Sequence, residues 1–196
     1  MTTSATLRLV LGVDPGTHVV GWGLVAREGS RLTTAGFGTI RAPASAPIDR
    51  RLAAIAEGLR EVVTRHAPDA AAVEEAFYGR DVRAAIRLGE GRGAVLVVLA
   101  EAGVPVAHYT NNVVKRSVAG GGRATKPRVQ AMARAILGLA SLDGSLDASD
   151  ALALAICHHH QAGAAARLGG AAPGRLHPRV QAAVDAMRAS ERKRAR

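Results

Sequence analysis

Between Arg8 and Ile40, three apolar, β-branched segments follow one another so closely that no crossover helix fits between them, and this spacing restricts the fold more than any other feature of the chain. The first, Arg8 to Val13, has the character of a strand buried on both faces, and it stops at the tight turn Asp14-Pro15-Gly16-Thr17. Val19 to Ala26 and Leu32 to Ile40 follow, divided by Glu28-Gly29-Ser30, so the three segments predict an antiparallel meander.

Beyond the meander the apolar period changes. Ile48, Leu52, Ile55, Leu59 and Val62 recur at three- and four-residue intervals, predicting an amphipathic helix that ends near Ala67-Pro68. Ala70 to Glu74 reads as a fourth strand. A mostly helical stretch runs from about Val82 to Ala102 and stops at Gly103; Gly89, Gly91 and Gly93 weaken the helix there. Val104 to Tyr109 reads as a fifth strand, and Asn111 to Val118, Lys126 to Leu137 and Asp147 to His160 as helices. Three sequential strands followed by alternating helix and strand predict a mixed α/β fold with helices covering the sheet.

Nearly half of the 196 residues are apolar, enough for one substantial core, so a single domain over residues 1–162 is expected. Residues 163–196 are rich in Ala, Gly and Pro and carry eight basic against two acidic side chains; they read as a flexible or partly helical basic arm with a possible phosphate-contacting role. Over the whole chain 26 Lys and Arg oppose 16 Asp and Glu, which points to a polyanionic partner. The longest apolar runs, Ala94 to Ala100 and Ala151 to Cys157, fall far short of the roughly 20 residues that span a bilayer. The polar pair Asp14-Pro15 arrives too early for a secretory hydrophobic region, and Cys157, the only cysteine, has no internal partner, so a cytoplasmic protein is expected.

Within this basic chain the acids are unevenly placed. Asp14 ends the first strand, Glu74 ends the fourth, and Asp147 and Asp150 open the last long helix. A spacing of three sets the two aspartates about 60° apart on one helical face. The apolar remainder, Ala151 to Cys157, predicts packing against the sheet, which carries both acids toward the strand ends. Four carboxylates sharing a pocket raise one another's pKa unless cations compensate them, and an all-oxygen set suits Mg²⁺ or Mn²⁺. Two such ions about 3.5–4 Å apart activate water and stabilise the leaving oxygen of a phosphodiester. Each residue also has an ordinary reading: Asp147 as an N-cap, Asp150 as a favoured first-turn acid, Asp14 as a turn residue. Spacing alone does not choose between Glu74 and its neighbour Glu75. His158-His159-His160 invites a metal reading, but consecutive imidazoles diverge around a helix, so the run is expected to be a solvated helix end.

Leu11-Gly12-Val13-Asp14-Pro15-Gly16-Thr17 with Gly21-Trp22-Gly23, Ala72-Val73-Glu74-Glu75-Ala76-Phe77, Leu88-Gly89-Glu90-Gly91-Arg92-Gly93 and Asp147-Ala148-Ser149-Asp150-Ala151-Leu152-Ala153 together resemble, in order and spacing, the motifs of the RuvC family of Holliday-junction resolvases. The resemblance spans about Leu9 to His160. It implies a ribonuclease-H-like fold, a five-stranded mixed sheet flanked by helices, acting as a homodimer on four-way DNA junctions beside the branch-migration complex RuvAB. It selects Glu74 over Glu75 and implies that Asp14, Glu74, Asp147 and Asp150 hold two Mg²⁺ or Mn²⁺ ions. It also implies that Lys115 and Lys126 contact DNA and that Phe77 stacks at the junction. Tyr78 and Arg123 join these as candidate DNA contacts: Tyr78 adjoins Phe77, and Arg123 sits by the glycine run Gly120–Gly122 that divides the two lysines. Two rival readings remain: a noncatalytic basic junction-binding module, and an actin- or sugar-kinase-like phosphate enzyme suggested by the Asp14–Thr17 turn, against which the chain's single-domain length argues.

Overall fold

A computed structural model describes residues 9–75, 82–141 and 146–167. Five strands form one sheet: β1 (Leu9–Asp14), β2 (Val19–Glu28), β3 (Arg31–Arg41), β4 (Ala70–Glu74) and β5 (Val106–Tyr109). Their order is β3-β2-β1-β4-β5, with β1, β2 and β3 pairing antiparallel and β1, β4 and β5 pairing parallel. The expected meander is therefore present, and each parallel pair is reached through a helical crossover. Those helices are α1 (Ile48–His66), between β3 and β4, and α2 (Val82–Glu101), between β4 and β5; α3 (Asn111–Ala119), α4 (Lys126–Leu137) and α5 (Leu146–Arg167) follow β5.

Side-chain parity divides the core into two layers. Leu11 and Val13 of β1, Val20 and Leu24 of β2 and Val73 of β4 pack against Ile55, Leu59 and Val63 of α1 and Val95, Val98 and Leu99 of α2. On the opposite face Val10, Val25, Ala72, Ala107 and Tyr109 meet α3, α4 and α5. The glycines of α2 do not break it. Gly91 is required, because a Cβ there would lie 2.5 Å from the carbonyl oxygen of Gly16 in the turn after β1.

α5 outlasts its expected end near His160 by about two turns, reaching Arg167. The alanines at 162 and 164–166 have the highest helix propensity, which offsets the single Gly163. Phe77, Tyr78 and residues 168–196 of the basic tail lie outside the described residues.

Candidate active site

β1 and β4 are parallel neighbours, with Gly12 opposite Ala72 and Val13 opposite Val73, so both strands deliver an acid at the same carboxyl edge. Val10, Gly12 and Asp14 share the face that α5 covers, as do Ala72 and Glu74. Glu75 has the opposite parity and is exposed. Asp14 pairs across the sheet with Gly21 of β2, and Glu74 with Tyr109 of β5. One row thus runs Tyr109, Glu74, Asp14, Gly21 beneath the helix.

α5 approaches this row closely because the strands beneath it lack side chains. A Cβ at Gly12 would stand 1.8 Å from the Ala151 carbonyl oxygen, and one at Gly21 would stand 2.0 Å from that of Asp147. At Gly23 it would meet the Leu152 side chain at 2.8 Å. Seven consecutive residues, Ala151 to Cys157, are buried, as the apolar run predicts. Asp147 lies inside the first turn rather than ahead of it as a cap, and it and Asp150 both act on Asp14 electrostatically.

The acids burden one another. Burial above all, then the charges of Glu74 and Asp150, a hydrogen bond to Glu74 and the charge of Asp147 push the Asp14 carboxyl up to about 8. Glu74 Oε1 accepts a hydrogen bond from Asn111 Nδ2 at 3.1 Å, and its backbone carbonyl accepts one from Arg92 Nε at 3.2 Å. Arg92 reaches His108 Nδ1 as well, at 2.9 Å. Asp150 Oδ2 accepts from Lys126 Nζ at 3.0 Å, and this hydrogen bond and ion pair hold the lysine above its ordinary pKa. A cleft of about 30 Å³ opens beside these groups, lined by Glu74, Asn111, Lys115, Lys126 and Asp150 among others. A water needs roughly 10–15 Å³ of such space, so about two water-sized occupants fit.

Of the residues singled out from sequence, Glu74, Asp150, Lys115 and Lys126 line the cleft, while Asp14 and Asp147 do not line it and are linked to Glu74 and Asp150 through the electrostatics of Asp14. Arg123 does not line this cleft; it borders an open depression of about 600 Å³ with Gly120, Gly121, Thr125 and Arg128. Asn111 and Arg92, which contact Glu74 directly, were not singled out. Asn111 carries no distinguishing signal beyond opening a helix just after β5, and Arg92 sits in a glycine motif whose sequence does not reveal its target.

The donor set consists of carboxylates only, which fits a hard divalent cation. Among the described residues no three or more His, Cys, Asp or Glu side chains stand in a metal-holding arrangement. Asp14 and Glu74 share a hydrogen bond, and Asp150 holds Lys126.

The histidine run corrects the sequence expectation of a solvated helix end. His158 and His159 are 0% and 1% exposed. Their rings do diverge: His158 Nδ1 shares a 2.9 Å hydrogen bond with the Tyr109 hydroxyl, His159 Nε2 bonds the Val25 carbonyl at 2.9 Å, and His160 Nδ1 meets the Ser117 hydroxyl at 3.2 Å. The helix continues past them under cover of β2, β5 and α3, so no solvated end exists there. Burial, with a smaller contribution from His159, pulls His158 down to about 4, and its Nε2 has no partner.

The profile of the RuvC family, described as crossover junction endodeoxyribonuclease RuvC, matches residues 10–158, well over half of the chain. The chain belongs to the RuvC family. Its similarity to the RuvC protein of Chloroflexus aggregans is 46% identity over 159 residues, covering 81% of this chain and 97% of that one. For the RuvC protein of Parvibaculum lavamentivorans the identity is 48% over 161 residues, 82% and 91% of the two chains. Among solved structures, T. thermophilus RuvC in complex with a Holliday junction substrate aligns with a TM-score of 0.76 and 38% identity over 85% of this chain and 99% of that one. The five-stranded mixed sheet with its flanking helices is thus the ribonuclease-H-like fold of RuvC proteins.

Proposed function

We propose that this chain is a structure-selective endonuclease that resolves Holliday junctions in recombination and repair, cutting phosphodiesters at the cluster formed by Asp14, Glu74, Asp147 and Asp150. One observation carries the reading: in a strongly basic chain β1, β4 and α5 bring Glu74, Asp150 and Asp147 near enough to act on Asp14, whose carboxyl is pushed up to about 8 by burial above all and then by these neighbours. Buried carboxylates set near one another resist ionising, and a bound divalent cation would relieve that cost. The four acids would hold two Mg²⁺ or Mn²⁺ ions, which when bound supply Lewis-acid stabilisation to a phosphate undergoing in-line displacement.

The chain's own groups do the rest. Asn111 fixes the carboxylate plane of Glu74, and Arg92 fixes its backbone at the strand exit. Lys115 and Lys126 edge the cleft where a backbone phosphate would lie, which makes binding salt-dependent. Arg123, set apart beside Arg128, would contact a more distant phosphate, and Phe77 and Tyr78 would supply rings to stack on bases near the crossover. Residues 163–196 would add a basic arm beyond the catalytic domain at 1–162.

A two-fold homodimer would set two such sites against strands of like polarity, and paired nicks then leave ligatable duplexes. An exposed apolar stripe on α2, with Val82, Ile86 and Val97 at 69%, 58% and 53% exposure and the bare Gly89 and Gly93 between them, supports that pairing. No helix among the described residues is long and apolar enough to cross a membrane. The proposed site of action is DNA in the cytoplasm, beside the RuvAB branch-migration complex.

The test compares a synthetic four-way junction with linear duplex. The wild-type protein should nick the junction symmetrically in Mg²⁺ or Mn²⁺ and leave the duplex intact. Asp14→Asn should abolish nicking while binding the junction normally in metal-free buffer; a variant that still cuts would remove Asp14 from the metal site. Tight junction binding without any nicking by the wild type would instead favour a noncatalytic module, and nucleotide hydrolysis without nicking a kinase-like enzyme.

A further inference from the structure

We propose that Lys126 is a resident counter-ion which a divalent metal must displace from Asp150, so that metal loading and phosphate engagement are coupled through one side chain. The inference rests on the reading of the acid cluster as a metal site. Lys126 is the first residue of α4 and follows the glycine run Gly120–Gly122. Its Nζ lies 3.0 Å from Asp150 Oδ2, and its side chain is 61% exposed against 26% for Asp150.

Asp150 therefore already has a cation. An ammonium and a divalent ion drawn to the same carboxylate repel each other, and the lone pairs of Oδ2 cannot serve both well. The ion pair is weak enough to yield, because a mostly exposed lysine gains little from such a contact. Once displaced, the ammonium stays at the rim of the cleft lined by Glu74, Lys115 and Asp150, where the available anion is a backbone phosphate. Reciprocity follows: whatever draws Lys126 off Asp150 raises the affinity for metal, and bound metal raises the affinity for phosphate by the same factor. Asn111 makes the contrast plain. It donates to Glu74 Oε1 without adding charge, so it orients that carboxylate without acting as a counter-ion.

The sign of the expected effect differs from that of a lysine that only binds DNA. Mn²⁺ binding to the DNA-free protein, followed by calorimetry, should tighten in Lys126→Met, by about five-fold where the full ~1 kcal/mol of an exposed pair is recovered. Lys126→Gln should match it, and Lys126→Arg, which keeps the charge, should stay near wild type. The Met variant should also bind a four-way junction more weakly in metal-free buffer. Unchanged or weaker Mn²⁺ binding in both neutral variants, with wild-type melting temperatures, overturns the coupling while leaving the nuclease reading intact. A wild-type protein that binds no Mn²⁺ at all overturns the metal site itself and the coupling with it.

Discussion

α5 and α2 are both long helices on this sheet, yet they are held in different ways. Under α5 the glycines belong to the strands: Gly12, Gly21 and Gly23 clear a channel that the helix backbone enters, and Ala151 to Cys157 are buried without a gap. On α2 the glycines belong to the helix. Gly91 clears the turn after β1, whereas Gly89 and Gly93 face open space beside the exposed Val82, Ile86 and Val97. A helix pressed backbone-to-backbone on a sheet has almost no freedom to shift, and α5 is the one that carries two of the four acids. α2 is held over part of its surface only, which leaves a stripe free for another molecule.

Filling the α5 channel should have the largest consequence. Gly12→Ala places a methyl 1.8 Å from the Ala151 carbonyl oxygen, a backbone atom that cannot move aside cheaply. A loss of about 3 kcal/mol or more is expected in urea unfolding, with junction cleavage lost wherever folded protein survives. Gly12→Ala with wild-type stability would mean that α5 does not lie where the channel puts it.

Acid should loosen α5 next. An exposed histidine takes up its proton near 6.5, whereas His158 does so only at about 4, so between these values the unfolded chain binds the extra proton. Stability is complete above about 6.5 and falls as the pH drops toward 4, by on the order of 3 kcal/mol from this ring. Urea midpoints between pH 7 and pH 4 should fall more steeply for the wild type than for His158→Asn. Parallel slopes would remove the buried ring as the cause.

On α2 the expected change in folding stability is small. Ile86→Asp should alter it by no more than about 0.5 kcal/mol, because the side chain is 58% exposed. Sedimentation at micromolar concentration should nevertheless show the proposed dimer giving way to monomer. A dimer that survives the substitution would move the pairing surface elsewhere.

Much of this layout is legible in the chain itself. The close spacing of the first three apolar segments excludes crossovers and so compels the meander, and α1 follows from the period of Ile48, Leu52, Ile55, Leu59 and Val62. Asp14, Glu74, Asp147 and Asp150 stand out because two parallel strands end in an acid and an apolar helix that packs on the sheet opens with two more on one face. The end of α5 was less legible, since Gly163 and the polar histidine run mimic a stop signal while the alanines around them sustain the helix. Burial of His158 depended on Tyr109, which lies 49 residues away and hydrogen-bonds to it.

The sequence by itself determined which residues form strands and helices and which acids sit at their ends, because local period and turn chemistry are written in neighbouring residues. Only the tertiary structure decided that Lys126 pairs with Asp150 and Asn111 with Glu74, and that the histidines are buried. Those outcomes depend on strand register and on how closely α5 settles onto Gly12 and Gly21, and both are set by contacts between segments far apart in the chain.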